Sequence, residues 1–249
     1  MPSRLRFAVA YDGAPFAGWQ SQANGNAVQD HLEKAFATIA CTTVRVHGAG
    51  RTDAGVHALA QIAHVDLPAK NIPAWQWVEA LNGALPSTIR VLSCRYVGVK
   101  FHARFSATGK VYRYRIWNAP VLPPLEAGRA WQVQAALDFA AIVEEAKMFV
   151  GTHDFAGFAA NGGQPETNTI RTIDAVRLRR SGRSITIEIS GDGFLYKMVR
   201  LMVGALVRQG RGQARAGEIV ERLQFPARFR TRARLVAPAA GLYLVRVRY

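Results

Sequence analysis

Acidic residues are scarce in this chain: 17 Asp and Glu stand against 32 Lys and Arg in 249 residues, a formal net charge of +15. Lysine is scarcer still. Six lysines (Lys34, Lys70, Lys100, Lys110, Lys147 and Lys197) leave 26 of the 32 basic residues as arginine. The two cysteines, Cys41 and Cys94, are far apart and fit no CxxC or metal-ligand spacing. That excludes a disulfide framework and points to reduced thiols in a cytoplasmic protein. Uncharged stretches break at Gly, Pro or polar residues before they reach a membrane-spanning length. The opening Met1-Pro2-Ser3-Arg4-Leu5-Arg6 runs into a strand pattern rather than an apolar leader core. Hydrophobic residues at 49% and charged residues at 20% exclude wholesale disorder.

What the chain does have is positive charge carried by guanidinium groups. Arginine offers a planar fork of donors suited to phosphates and a flat face that stacks on bases, so the composition points to a polyanion such as RNA. The charge is also uneven. Residues 98–118 contain no Asp or Glu, and from Arg200 onward eleven arginines face only Glu218 and Glu221. Within that second segment, Arg228-Phe229-Arg230-Thr231-Arg232-Ala233-Arg234 is a basic stripe suited to a phosphate track, or else a solvated loop.

Periodicity predicts two similar halves. Alternation over residues 4–11 predicts a strand ending in the Asp12-Gly13 turn. Val28, Leu32, Ala35, Phe36 and Ile39 predict a helix over 28–40. Strands are expected at 43–47 and 58–67, a helix opened by Pro73 at 73–85, and a strand at 89–99. The second half runs as strand 110–118, helix 135–150, a hairpin of 170–180 with 184–190, helix 194–209, short helix 216–223 and strand 242–249. Two β-α-β-β-α-β runs imply an α+β protein of two tandem split-βαβ subdomains, ferredoxin-like or RNA-recognition-like. Residues 1–105 would form the first and 106–249 the second, with antiparallel sheets meeting at a central cleft.

The chemistry concentrates in a few segments. Gly48-Ala49-Gly50-Arg51-Thr52-Asp53-Ala54-Gly55-Val56-His57 sets one carboxylate among three glycines between two strands. Small residues let a flat ligand approach that carboxylate; a tight turn capped by Asp53 is the other reading. The loop is neither a P-loop nor GxGxxG. His47, Asp53, His57 and His64 are close in sequence, but their spacing matches no common metal site, and strand histidines are the default. Phe101-His102-Ala103-Arg104-Phe105 and Tyr112-Arg113-Tyr114-Arg115 interleave aromatic and basic residues. In a strand the two tyrosines share one face and the two arginines the other, either as a stacking platform beside a phosphate row or as core beside solvated surface. Arg200 lies between Val199 and Leu201, where a buried cation needs a carboxylate; Asp53 is a candidate partner, and snorkelling to the surface is the alternative.

Taken together, these segments resemble the TruA-type tRNA pseudouridine synthases. Tyr11-Asp12-Gly13-Ala14-Pro15-Phe16-Ala17-Gly18-Trp19-Gln20 is similar to the family's opening motif, and residues 50–57 to its catalytic loop. Residues 101–108 with Tyr112-Arg113-Tyr114, His153-Asp154-Phe155, Met198-Val199-Arg200 and Gly241-Leu242-Tyr243-Leu244 follow in the family's order. The resemblance implies that Asp53 is the nucleophile, Tyr112 packs against the target base, Arg200 pairs with Asp53 and Leu242 lines the apolar pocket. It implies tRNA contacts at Arg51, Phe101, His102, Ala103, Arg104 and Phe105. It also implies a cytoplasmic, cofactor-free homodimer without a catalytic metal, isomerising uridines at tRNA positions 38 to 40 in the anticodon stem-loop.

Two other classes use some of the same residues. An RNA-binding module without catalysis accounts for the charge but has no need of the Asp53 loop. A glycoside or nucleotide hydrolase uses a carboxylate but generally requires a second one at a defined distance. If the basic stripe is a phosphate track, neutralising Arg230, Arg232 and Arg234 together will weaken tRNA binding and flatten its dependence on salt. Filter-binding titrations at several salt concentrations measure both; unchanged binding would make the stripe ordinary solvated surface.

Overall fold

The computed structural model describes residues 3–23, 25–68, 72–162, 167–229 and 235–249. In chain order the elements begin β1 (Ser3–Tyr11), α1 (Val28–Ala40), β2 (Val46–Gly48), β3 (His57–Leu67), α2 (Ala74–Ala84) and β4 (Ile89–Val97). They continue β5 (Gly109–Trp117), β6 (Trp131–Gln132), α3 (Phe139–Lys147), β7 (Gly151–Asp154), β8 (Ile170–Ser181) and β9 (Ser184–Gly191). Last come α4 (Met198–Gly210), α5 (Glu218–Gln224) and β10 (Leu242–Arg248). The chain forms two compact units, Met1–Thr108 with Tyr243–Tyr249, and Gly109–Leu242. Among the described residues no helix is long and apolar enough to cross a membrane.

In the first unit β1 pairs antiparallel with β4 and with β3, and β2 pairs antiparallel with the far part of β3. β10 joins β3 in parallel, with Tyr243 opposite His57. Strand alternation sends Leu5, Phe7 and Val9 to one face, all fully buried. Helix α1 meets that face with Val28, Leu32, Ala35 and Phe36, the one-sided spacing its sequence predicts. The Phe36 ring lies 5.2 Å from Phe7 and 5.5 Å from Trp77 of α2. Arg4, Arg6 and His64 occupy registered positions on the opposite face, where Arg6 faces His64 and Arg4 faces Asp66.

In the second unit β9 pairs antiparallel with β5 and β8, β8 pairs with β7, and β6 runs parallel to β5. Tyr114, Ile116, Ile185, Ile187 and Ile189 are fully buried, so one sheet face is core. Arg113 and Arg115 point the other way and pair with Glu188 and Glu126. Tyr114 is therefore core rather than part of an exposed stacking platform. Helix α4 is apolar along nearly its whole length, and at Gly210 an added Cβ would come within 2.6 Å of Ile142 on α3.

Four boundaries differ from the sequence reading for local reasons. Helix α3 starts at Phe139 rather than 135, because the Asp138 carboxylate accepts from the Ala141 N–H and caps it there. Helix α4 starts at Met198 rather than 194, because Lys197 adopts a left-handed conformation, φ 59°. Strand β2 falls at Val46–Gly48 instead of 43–47, and Pro73 sits just before α2 instead of within it. Strands β6 and β7, two and four residues long, are too short to leave a periodic signal. Arg230, Arg232 and Arg234 lie outside the described residues.

Trp77 sits at the centre of the first unit, fully buried, with its indole N–H donating to the Tyr96 hydroxyl at 3.1 Å. Trp77→Ala is expected to cost about 3–5 kcal/mol of unfolding free energy, read from urea denaturation.

Candidate active site

The loop around Asp53 begins where β2 ends and finishes where β3 begins. Its flanks are tied to β3: Ala49 N–H donates to Ile62 O at 2.8 Å, and the Gln61 amide donates to Gly50 O at 2.8 Å. After the carboxylate, Val56 N–H donates to Asp53 O at 3.1 Å, with Gly55 at φ 77° closing the turn. Before it, the Thr52 carbonyl accepts from Trp19 N–H at 3.0 Å, and the Thr52 hydroxyl lies 2.8 Å from the buried Tyr11 hydroxyl. The backbone is thus fixed on both sides of Asp53, itself half-buried.

The opening motif supplies the other half of this clamp. A Cβ on Gly13 would stand 2.0 Å from Val56 O, and one on Gly18 would stand 2.7 Å from Thr52 O. Gly18 also has φ 96°, a region other residues rarely enter. On the loop side, a Cβ on Gly48 would collide with the Trp19 ring at 2.5 Å. The same motif then feeds α1. Val28 and Gln29, in the helix's first turn, donate their N–H groups to the carbonyls of Gly18 and Trp19 at 3.0 Å each. One short segment therefore satisfies the helix start and braces the aspartate loop.

His57 closes the loop. It is buried and stacks on Tyr243 of β10 with ring centroids 4.7 Å apart. Its Nδ1 accepts from Gly13 N–H at 3.1 Å. The Asp12 carboxylate lies 3.1 Å from the same Nδ1. The motifs in the sequence contain all of these partners but not their pairing: the Tyr11–Thr52 and Gly13–His57 contacts join distant positions and leave no local signal.

A second cluster carries residues 101–105. Arg4 Nη1 donates to the carbonyls of Val99 and Phe101 at 2.6 and 2.7 Å. Ala103 N–H donates to His64 Nδ1 at 3.1 Å, and the Tyr249 hydroxyl donates to Ala103 O at 2.7 Å. His102 Nδ1 accepts from Arg104 N–H and Phe105 N–H, folding the segment into a tight turn. His64 stacks on His47 at 5.0 Å and meets His102 edge-on at 4.7 Å. Phe105, 78% exposed, lies 4.4 Å from the His102 ring and under the Arg104 guanidinium. Ala103 is buried and serves as the anchor; Arg51 is exposed beside Thr52. Among the described residues, no group of three or more His, Cys, Asp or Glu side chains is arranged to hold a metal ion.

Tyr112, Arg200 and Leu242 belong to the second unit. Tyr112 is 8% exposed and meets Phe194 edge-on at 5.0 Å. Arg200, three residues into α4, donates from Nε to Ala237 O at 2.7 Å, and its own carbonyl accepts from Ala237 N–H at 3.1 Å. Leu242 is buried at the start of β10. Nearby, the Tyr114 hydroxyl donates to Pro238 O at 2.7 Å, and burial raises its pKa.

A family model described as tRNA pseudouridine synthase matches residues 7–106 and 146–249. A relative from Akkermansia muciniphila named tRNA pseudouridine synthase A is 47% identical, over 99% of this chain and 95% of its own. Relatives of the same name from Solidesulfovibrio magneticus and Afipia carboxidovorans are 47% and 46% identical over 99% of this chain, covering 91% and 99% of theirs.

His64 yields a pH prediction. Burial, then the nearby charges of Arg4, His102 and His47, lowers its pKa from 6.5 to about 4, against a smaller opposing pull from Asp66. The fold therefore favours the neutral ring. Its stabilisation is complete above pH 6.5 and is lost as pH falls toward about 4. The urea unfolding midpoint is expected to fall across that window. His64→Gln, which keeps an acceptor but does not titrate, will flatten the fall if this ring is its source.

Proposed function

The chain belongs to the tRNA pseudouridine synthase family, and from that premise we propose that it isomerises uridine in the anticodon stem-loop of tRNA with Asp53 as nucleophile. The observation that carries the residue assignment is the clamp on Asp53. Its backbone is held by Trp19 and Val56, glycines stand where side chains would intrude, and the residue is half-buried. Such preorganisation suits a carboxylate that must meet one carbon of a large substrate.

The reaction breaks the N1–C1′ bond of uridine, turns the uracil, and joins C5 to C1′. The C5 hydrogen leaves as a proton and N1 gains one, so atoms and electrons balance without an external oxidant. The carboxylate assists by adding covalently to the nucleoside or by removing a sugar proton. The base must first leave the stack of the stem-loop, which aromatic and basic side chains favour. The exposed Phe105 and Arg104, held on the His102 turn, support a tRNA contact at residues 101–105. The roles of Tyr112 against the base, Arg200 in keeping the carboxylate ionised and Leu242 as apolar lining follow from the family resemblance. So do positions 38 to 40, the homodimer and the cytoplasmic setting, while the reading of each half as a split-βαβ subdomain follows from the order of strands and helices in the sequence.

The test uses tRNA carrying tritium at uracil C5. The native chain is expected to release tritium without strand cleavage or free uracil. Asp53→Asn should abolish release while tRNA affinity stays within about threefold. Near-normal turnover in that variant would overturn the assignment. Binding without release by the native chain would favour a non-catalytic RNA module, and free base a hydrolase.

A further inference from the structure

The second unit contains a cleft of about 330 Å³ between the last turns of α4, the residues 235–237 and Trp131 of β6. Its walls are built. Gly204 lies so close to the strap that an added Cβ would strike Leu235 O, and Arg200 binds Ala237 through two hydrogen bonds. Val207, Leu235 and Ala237 give it a buried apolar side. Trp131 is fixed by β6 pairing with β5 and by edge-on contact with the buried Tyr114 ring at 6.2 Å.

Two guanidinium groups line the same cleft. The Arg211 side chain makes no hydrogen bond or ion pair among the described residues, and its Nε is buried without a partner. Arg208 donates from Nη2 to Gln213 O at 2.8 Å and stands 3.6 Å from Glu218, yet its Nε is buried and unmatched too. Both side chains line the cleft, and with Arg211 lacking a side-chain partner and Arg208 holding only one carbonyl and a long ion pair, the two leave guanidinium donors for an acceptor there. Cations at a helix C-terminus offset its dipole, which explains their sign but not their burial. The carbonyls of Val207 and Arg208, which would repel an anion, are already occupied by the N–H groups of Arg211 and Gln213.

We propose that this cleft is a nucleotide site, with Arg208 and Arg211 taking the phosphate and the wall of Trp131, Val207 and Leu235 taking the sugar or base. Its volume sits at the small end of ligand pockets, too large for phosphate alone and suited to one nucleotide. The nucleotide comes either from solution or from one unit of an RNA strand. Because Arg200 holds the other side of Ala237, an occupant would brace the strap that positions Arg200.

Binding is read without turnover, so this proposal stands or falls apart from the catalytic one. Full-length protein with ¹⁵N-labelled tryptophan is titrated with uridine monophosphate, a short single-stranded RNA and inorganic phosphate. The Trp131 indole signal is assigned through Trp131→Phe. Saturable shifts of that signal with the monophosphate identify a free-nucleotide site, and shifts with the RNA alone identify a strand contact; phosphate should bind at least about tenfold more weakly. Arg211→Gln should weaken binding at least about tenfold, and Arg211→Lys should restore part of it. Arg211 has no partner to lose, so neither variant is expected to unfold the chain. No shift with either nucleotide ligand up to about 10 mM, or equal binding in Arg211→Gln, overturns the proposal.

Discussion

Where one stretch of backbone must lie directly against another, side chains have nowhere to go, and the surroundings of Asp53 are organised by that restriction. Gly13 and Gly18 face Val56 and Thr52 at distances no Cβ tolerates, and Gly48 faces the Trp19 ring in the same way. Overfilling such a contact moves backbone rather than side chain, and here the displaced backbone is that of the aspartate loop. The other fixings depend on this approach. The Trp19–Thr52 and Gly13–His57 hydrogen bonds form only because the two segments touch, and the first turn of α1 then hangs from the same segment. The glycine content of these motifs is thus a positional requirement.

The preponderance of arginine over lysine also acquires structural content. Much of it goes to holding carbonyls and rings rather than to bare charge. Arg4 clamps two carbonyls of the 98–101 turn while pairing with Asp66, and Arg200 grips Ala237. Arg6 sits over the rings of Tyr249 and Phe101, and its burial together with Arg95 lowers its pKa. Arg90 donates to the Pro86 and Ile89 carbonyls of the turn that precedes it. A planar fork can serve two acceptors at fixed angles where an ammonium group acts as a point, so lysine would not substitute at these positions. The surplus of positive charge therefore has two parts, one spent inside the fold and one presented by residues such as Arg104.

The long amphipathic elements were legible. Helix α1 occupies the residues its apolar spacing predicts, and β1, β3, β5, the β8–β9 hairpin and β10 fall within a residue or two. What escaped is what one residue decides. Asp138 starts the amphipathic helix expected over 135–150 four residues late by capping it, and the left-handed Lys197 delays α4 although Leu195 and Met198 share a helical face. At the site, the Asp53 loop stood out through its composition, because glycines around one carboxylate are rare between strands. Its supports did not. The histidines that look like a group in sequence divide in space: His57 stacks on Tyr243, while His47 and His64 join His102. Seven residues of strand separate His57 from His64, about 23 Å, and the sheet register sets His47 opposite His64, a long-range pairing that no local window contains.

The chain leaves the first unit at Thr108 and returns to it at Tyr243, so the second unit is an insertion in the first. The returning strand is structural for the site. Tyr243 covers His57 at the end of the aspartate loop, and Tyr249 holds Ala103 and the Arg6 guanidinium. A ribosome delivers these residues after everything they complete. During synthesis the first unit must wait, with the open flank of β3 lacking its parallel neighbour, until the whole insertion has emerged. Assembly of the aspartate loop therefore waits until the insertion and β10 have both been made, and a nascent chain stalled within the insertion would hold Asp53 without the ring that closes its loop.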